Sequence, residues 1–201
     1  MFRSLAAALA LLFAGSAFAQ TAPTVTLRGT IEAVSAEDGS LSVKSRSGET
    51  ATVRPKPDAA IALVVPAALA DVKAGSFIGV AAVPGEGGVL KALEVHIFPE
   101  AMRGTGEGYR AFDLAPNSSM TNGALTARVE GVDGPTLTVT YHGGSQTIQI
   151  DAKTPIVGFE PGSRADLKVG AKMIARGPRA ADGAIEAARL IVGKDGLTPP
   201  M

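Results

Sequence analysis

The sequence predicts an all-β protein in which two tandem five-stranded barrels are joined by an ordered irregular insert. Three observations lead to this fold class. Apolar and polar residues alternate through short segments, turn dipeptides with glycine separate these segments, and the pattern of the first half returns in the second. The 201 residues include 24 glycines and 13 prolines, and only 4% are aromatic. The core must therefore be built from valine, isoleucine, leucine and alanine.

Alternation predicts five strands in the first copy of the pattern. They are centred on residues 27–33, 41–43, 51–53, 77–83 and 89–97. Asp38-Gly39 is a strong hairpin signal between the first two strands. Between the third strand and the fourth, Pro66 to Asp71 predicts a short helix with proline in its first turn. This is the outline of an OB-type Greek-key barrel, and the alternative is another small barrel or sandwich of similar strand count.

An internal repeat indicates that the barrel occurs twice. The matches pair residues 71–75 with 166–170 at an offset of 95, Leu41 and Val43 with Leu137 and Val139 at 96, and 31–34 with 129–132 at 98. The offset changes in turns, where insertions are tolerated. The second copy has its own turn signals at Asp133-Gly134 and Asp182-Gly183. The predicted units are an OB-like module at 25–97, a second at 125–193 and a C-terminal tail at 194–201.

The N-terminus predicts export. Arg3 provides the positive region of a secretory signal, Leu5 to Ala14 form its apolar region, and Ala17-Phe18-Ala19 is a small-x-small cleavage site. Residues 1–19 are therefore expected to be a cleaved signal peptide, and the mature protein is expected in the periplasm or outside the cell. The apolar run is too short to span a bilayer, and no run of spanning length follows it, so we expect no membrane insertion after cleavage.

Charge and cysteine content exclude several classes of function. One of the 19 basic residues, Arg3, lies in the signal, which leaves 18 against 19 acidic residues. A nearly neutral chain has no global field that attracts nucleic acid, so we expect no nucleic-acid partner. The absence of cysteine from the sequence excludes disulfides, thiolate metal sites and cysteine nucleophiles.

The segment between the modules, residues 98–124, belongs to neither copy and is called the insert below. An aperiodic connection of this length is usually either functional or disordered. The chain has 7 phenylalanines and 2 tyrosines, and three of these aromatic residues lie in the insert, namely Phe98, Tyr109 and Phe112. Disordered linkers are poor in aromatic residues, so we expect the insert to be ordered and packed against the barrels.

The insert also carries a resemblance. Its segment Phe98-Pro-Glu-Ala-Met-Arg-Gly-Thr-Gly-Glu-Gly-Tyr109, followed by Asp113 and Met120-Thr-Asn122, is similar to the signature of a family of exported proteobacterial proteins of unknown function. The resemblance covers essentially the whole mature chain and implies a duplicated OB-like module, without an activity or catalytic residues. Some members carry a metal-transporter permease label. This chain departs from that label, because a permease needs several membrane spans.

We therefore expect a binding or interaction protein that needs no cofactor, with the insert as its contact surface. Its partner would be an envelope protein or a small ligand. Polar and aromatic side chains of the insert would provide hydrogen bonds and a stacking face. These candidate contact residues are Arg103, Glu107, Tyr109, Arg110, Asp113 and Asn122.

Two alternative functions remain open at this point. The first is a periplasmic metal-binding protein of the copper type, because His96, Met102 and Met120 are soft ligands that suit Cu(I). The second is a hydrolase that uses carboxylates of the insert, namely Glu100, Glu107 and Asp113. No nucleophile elbow or histidine-rich zinc motif occurs in the sequence, so an enzyme is the least expected of the three.

Overall fold

The computed structural model describes residues 23–132 and 134–201, and it confirms the all-β class. The predicted signal peptide and Asp133 of the predicted Asp133-Gly134 turn lie outside these residues. The strands are β1 (Thr24–Val34), β2 (Leu41–Ser45), β3 (Thr50–Pro66), β4 (Phe77–Pro84), β5 (Leu90–Ile97), β6 (Gly108–Ala111), β7 (Ser119–Val129), β8 (Thr136–Tyr141), β9 (Gly144–Gln149), β10 (Ile156–Pro161), β11 (Lys172–Pro178) and β12 (Ile185–Gly193). The described part of the chain contains no helix long and apolar enough to cross a membrane.

Five strands form a closed barrel. Around its circumference β1 pairs with β2, β2 with β3, β3 with β12, β12 with β11, and β11 with β1. All of these pairs are antiparallel except β3 with β12, which is parallel. Alternate residues of each strand point inward and remove apolar surface from water. The centre of this core includes Ile31, Val43, Val53, Leu190 and Val192, each no more than 1% exposed.

Five further strands follow one another in the same manner and are called the second ring. Here β4 pairs with β7, β7 with β8, β8 with β9, and β4 with β5. A short parallel contact, Leu90 with Ile148 and Lys91 with Gln149, joins β5 to β9. The interior of the second ring is again aliphatic, with Ile78, Val80, Leu125, Leu137 and Val139 no more than 1% exposed.

Each group of strands draws on both halves of the sequence. The barrel takes β1 to β3 from the first half and β11 and β12 from the second, whereas the second ring takes β7 to β9 from the second half and β4 and β5 from the first. Residues 25–97 therefore do not close a barrel by themselves, and the expected tandem arrangement is not confirmed. The physical reason is the length of β3, whose 17 residues carry the chain out of the barrel.

The predicted helix from Pro66 to Asp71 is wrong. Pro66 is the last residue of β3, where it lies opposite Val157 of β10, and only Leu69–Asp71 forms a single 3-10 turn. Proline fits an extended backbone when its missing N–H faces no partner. The strand therefore continues to Pro66 because β10 offers an edge on which it can pair. The other 3-10 turns are Glu86–Gly88, Glu100–Met102, Arg164–Asp166 and Lys194–Gly196.

Strand β10 connects the barrel to the second ring. It pairs antiparallel with β3 and parallel with β5. An apolar group that we call the junction cluster surrounds it, comprising Val64, Phe77, Phe98, Val157, Phe159, Ile174 and Met201. These residues come from both groups of strands and from the C-terminal tail. The two groups therefore share a third core in addition to their own interiors.

Candidate functional site

The insert lies across the junction between the barrel and the second ring. Phe98 is 8% exposed in the junction cluster, and Met102 and Phe112 pack against the same cluster. Strand β6 pairs with β7, and the last six residues of the insert already belong to β7. The insert is thus attached to the second ring through its backbone and to the junction through its apolar side chains.

Asp113 fastens the insert to the barrel. Its carboxylate accepts two hydrogen bonds from the Arg28 guanidinium, at 2.6 and 3.0 Å. The hydrogen bond from Arg28 holds the pKa of Asp113 below its usual range. Nε of Arg28 also donates to the backbone oxygen of Met201 at 3.0 Å, so one side chain of β1 holds both the insert and the C-terminal tail.

Three other candidate contact residues are also engaged within the protein. Arg103 forms an ion pair with Glu100 and donates to the backbone oxygen of Gly75 at 2.9 Å. A carboxylate oxygen of Glu107 accepts the backbone N–H of His142 at 2.9 Å. Nδ2 of Asn122 donates to the backbone oxygen of Thr105 at 3.0 Å. Glu100, Glu107 and Asp113 each accept from a different donor, so the carboxylates of the hydrolase hypothesis are not held together by a shared partner.

Tyr109 and Arg110 are exposed residues of the short strand β6. Tyr109 is 48% exposed on β6, and in the described part of the chain β6 pairs only with β7. One edge of this short strand is therefore open. Arg110 donates to the backbone oxygen of Gly106 at 2.7 Å. Its pKa is lowered by burial and by the nearby charge of Arg176.

A buried polar cluster lies beneath the insert on β5 and β7, and the sequence analysis missed part of it. Nδ1 of His96 lies 3.2 Å from a carboxylate oxygen of Glu94, and the two side chains are 4% and 0% exposed. The His96 ring makes T-shaped contacts with the rings of Phe98 and Phe159, with ring centroids 4.8 and 5.5 Å apart. Glu94 escaped notice because an acidic residue that alternates with Val95 is typical of the solvent side of a strand.

Gly79 of β4 lies between His96 and Asn122, and it is paired with both of them in the sheet. A Cβ atom at Gly79 would overlap Nε2 of His96 and would lie 2.6 Å from Oδ1 of Asn122. Nδ1 of the imidazole faces the Glu94 carboxylate, whereas Nε2 and Oδ1 of Asn122 both lie beside Gly79. Among the described residues, Glu94 Oε2 and Asn122 Oδ1 are buried without a hydrogen-bond partner.

This cluster orients and packs the histidine rather than presenting it to a substrate. His96 is 3% exposed, and the insert and the phenylalanine rings of the junction cover it. A general base has to come within hydrogen-bond reach of the proton it removes. The arrangement thus favours a role for Glu94, His96 and Asn122 in holding the junction together.

The residues of the metal hypothesis lie on different elements, with His96 on β5, Met102 in the 3-10 turn Glu100–Met102 and Met120 on β7. Met102 packs on the junction cluster, whereas Met120 is 3% exposed beside Asn122 on β7. No group of three or more histidine, cysteine or carboxylate side chains that could hold a metal ion occurs in residues 23–132 and 134–201. The soft-ligand set of His96, Met102 and Met120 stays a prediction of the sequence.

A double variant tests this prediction. If the hypothesis holds, replacing Met102 and Met120 with leucine should remove Cu(I) binding, because leucine keeps the volume of methionine and lacks its thioether. Binding is measured by competition with a Cu(I) chelator on the mature protein. Met173→Leu, in the core of the barrel, is the matched control. Equal affinity in the wild type and the double variant would discard these ligands.

Comparison with known proteins identifies one similarity. Residues 126–190 match a family described as Domain of unknown function (DUF5666). The matched segment runs from within β7 to within β12, so it contains strands of both the barrel and the second ring. No curated protein matches the chain, and no solved structure matches it either.

Proposed function

We propose that this chain is an exported binding protein whose contact surface is the outer side of the insert, centred on Tyr109. The observation that carries the proposal is the open edge of β6. This strand carries the half-exposed Tyr109, and its other edge pairs with β7. Tyrosine provides a large contact area at a low cost in conformational entropy. The predicted signal peptide supports a location in the periplasm or outside the cell.

The anchoring of the insert supports this proposal. Asp113 ties the insert to the barrel through Arg28, and β6 ties it to the second ring through β7. A contact strand that is held at both ends is ordered before a partner arrives, so binding does not have to pay for ordering it. An open strand edge accepts an extended segment by backbone hydrogen bonds. The partner that fits this surface is therefore an extended peptide of an envelope protein.

We also propose that the barrel and the second ring are duplicated OB-like modules that have exchanged their last two strands. The order around the barrel is β1, β2, β3, β12, β11, and the order around the second ring is β7, β8, β9, β5, β4. Both follow the strand order of an OB barrel. Matched contacts support the duplication. The backbone N–H of Gly170 donates to the oxygen of Ile31, and that of Gly75 to the oxygen of Leu125, both at 2.8 Å.

These contacts revise one part of the repeat alignment. Ile31 lies opposite Val43 and Leu125 lies opposite Val139, and both Ile31 and Leu125 are 1% exposed. Val129, which the sequence match pairs with Ile31, is 64% exposed. The equivalent of Ile31 is therefore Leu125. The sequence match failed at this strand because a short apolar segment can be aligned at several registers.

The contact surface is tested by replacing Tyr109 with alanine. We expect the variant to lose at least about tenfold in affinity for a captured envelope protein, since aromatic anchors dominate such interfaces. Its melting temperature should stay unchanged, because the side chain is half exposed. Immobilised mature protein is used to capture partners from an envelope extract, and the affinity of the purified partner is then measured.

Two further variants separate a contact surface from a structural fastening. Val129→Ala removes an apolar side chain that is 64% exposed elsewhere and should leave capture unchanged. Asp113→Asn should lower the melting temperature by loosening the insert. If Tyr109→Ala captures the partner as well as the wild type, and only the destabilised Asp113→Asn variant captures less, the insert has a structural role alone.

A further inference from the structure

A cleft beside the C-terminal tail is a second feature of the structure, and it is independent of the proposed contact surface. It has a volume of about 200 Å³ and is formed on the barrel by β1, β2, β11 and residues 198–199. Its polar lining consists of three cationic and three hydroxyl side chains, namely Lys44, Arg46, Lys172, Thr30, Ser45 and Thr198. Among the described residues that line it, none is acidic.

The sheet register places the cationic side chains on one face. Thr30 of β1 lies opposite Lys44 of β2 on one side and opposite Lys172 of β11 on the other. Residues that are directly paired in a sheet project to the same face. Arg46 follows β2, and its backbone N–H donates to the oxygen of Arg28 at 3.0 Å, which keeps it beside the barrel. The position of the cleft cations is thus fixed by backbone pairing.

The charges in the cleft are poorly neutralised within the protein. The Arg46 guanidinium donates to the backbone oxygen of Pro199 at 3.0 Å, which is a neutral partner. Burial and the charge of Arg28 lower the pKa of Arg46. Lys44 approaches Glu32 only at 3.8 Å, and both side chains are well exposed. In the described part of the chain, Lys172 has no ion pair within 4.0 Å.

We propose that this cleft binds a phosphate group, which belongs either to a free phosphate compound or to the headgroup of an anionic phospholipid. Lysine and arginine donate charge-assisted hydrogen bonds to phosphate oxygens, and hydroxyl groups satisfy the remaining ones. The volume holds one phosphate group and leaves the rest of the ligand outside. An anion here would relieve the repulsion between Arg46 and Arg28.

The second ring shows that the fold does not require this cleft. Phe77, the first residue of β4, occupies the position that Lys172 occupies at the start of β11. Phe77 is 4% exposed in the junction cluster, and the Arg103 guanidinium lies 5.8 Å from the centre of its ring. Thr140, opposite Ala124, stands where the barrel has Lys44 opposite Thr30. One ring therefore closes this region with packing, whereas the other leaves it open and positively charged.

The test is a titration of the mature protein with inorganic phosphate and with vesicles. Phosphate binding is followed by calorimetry at low ionic strength, and vesicle binding by co-sedimentation with phosphatidylglycerol or phosphatidylcholine. We expect Lys172→Gln and Lys44→Gln each to weaken phosphate-group binding by about tenfold or more, as expected for a lost charge-assisted hydrogen bond. Lys73→Gln changes an exposed lysine in the connection before β4; it is the matched control and should bind like the wild type.

Each outcome decides the proposal. Saturable binding of inorganic phosphate without vesicle binding identifies a free phosphate compound as the ligand. Binding to phosphatidylglycerol vesicles that depends on Lys172 and Lys44 identifies a lipid headgroup. The proposal is overturned if neither probe binds, or if Lys172→Gln and Lys44→Gln bind as tightly as the Lys73→Gln control. Melting temperatures of all variants confirm that they remain folded.

Discussion

Replacing Gly79 with alanine is expected to lower the free energy of unfolding by about 3 kcal/mol, at the upper end of the usual cost of overpacking a core. The added Cβ would overlap Nε2 of His96 and come within 2.6 Å of Oδ1 of Asn122. Neither side chain has room to retreat. His96 is held by Glu94 and two phenylalanine rings, and Asn122 is held by the Thr105 carbonyl. Moving either one would leave a buried polar group without its partner.

Urea unfolding of the purified variant measures this effect, and a neighbouring glycine provides the control. A Cβ at Gly158 of β10 would make only an ordinary contact, 3.5 Å from a methyl group of Val65. Gly158→Ala should therefore change stability by less than about 1 kcal/mol. Gly79→Ala should cost less in a His96→Ala background than in the wild type, because the overlapping atom is gone. Equal stability of Gly79→Ala and Gly158→Ala would show that the polar cluster is loosely packed.

Cutting the chain within the insert should produce two fragments that are not folded monomers. The barrel needs β11 and β12 from the second half, and the second ring needs β4 and β5 from the first. Fragments 20–106 and 107–201 would each expose unpaired strand edges and half of a core. We expect each fragment to be unfolded or self-associated, and an equimolar mixture to recover the circular dichroism and cooperative unfolding of the intact protein.

The fragment experiment distinguishes exchanged strands from tandem barrels. If each half closed its own barrel, each fragment would be monomeric and would unfold cooperatively without the other. Analytical ultracentrifugation gives the mass of each fragment, and urea titration gives its cooperativity. A cooperatively folded, monomeric fragment 20–106 would refute the exchange of strands. A matched cut within the turn at Gly143 leaves the strand composition of each group unchanged in the complex and serves as the control for chain cleavage.

The all-β class was predictable because alternation is a local property. Ile31 and Val43 are inward-facing residues of their strands, and they are buried as the pattern predicts. Which strand pairs with which is not local, and the predicted tandem arrangement is the part of the fold that is not confirmed. Leu63 pairs with Val192 across most of the chain, and no feature of either segment identifies the other. The edge of β3 can form backbone hydrogen bonds with β5 as well as with β12, so hydrogen bonding does not select between them.

The candidate site was predictable in part for the same reason. The composition of the insert identified Asp113 as a candidate for a polar contact. Its partner Arg28 lies 85 residues away, and the alternation of β1 predicts only that Arg28 faces outward. His96 was recognised by its residue type. Its partner Glu94 was missed because burial on both faces of β5 depends on the insert and the junction cluster, which sequence alternation does not report.

The order of the strands along the chain also determines when the barrel can fold. Strands β1, β2 and β3 are complete early in synthesis, yet the strands that close their barrel, β11 and β12, are the last ones made. Until then both outer edges of the early sheet stay open, and its apolar face has no second layer. The loop that must close before β3 meets β12 spans more than half of the chain, since Leu63 pairs with Val192, and this slows folding. The barrel therefore cannot close until the final residues are available, and until then its open strand edges can pair with other chains.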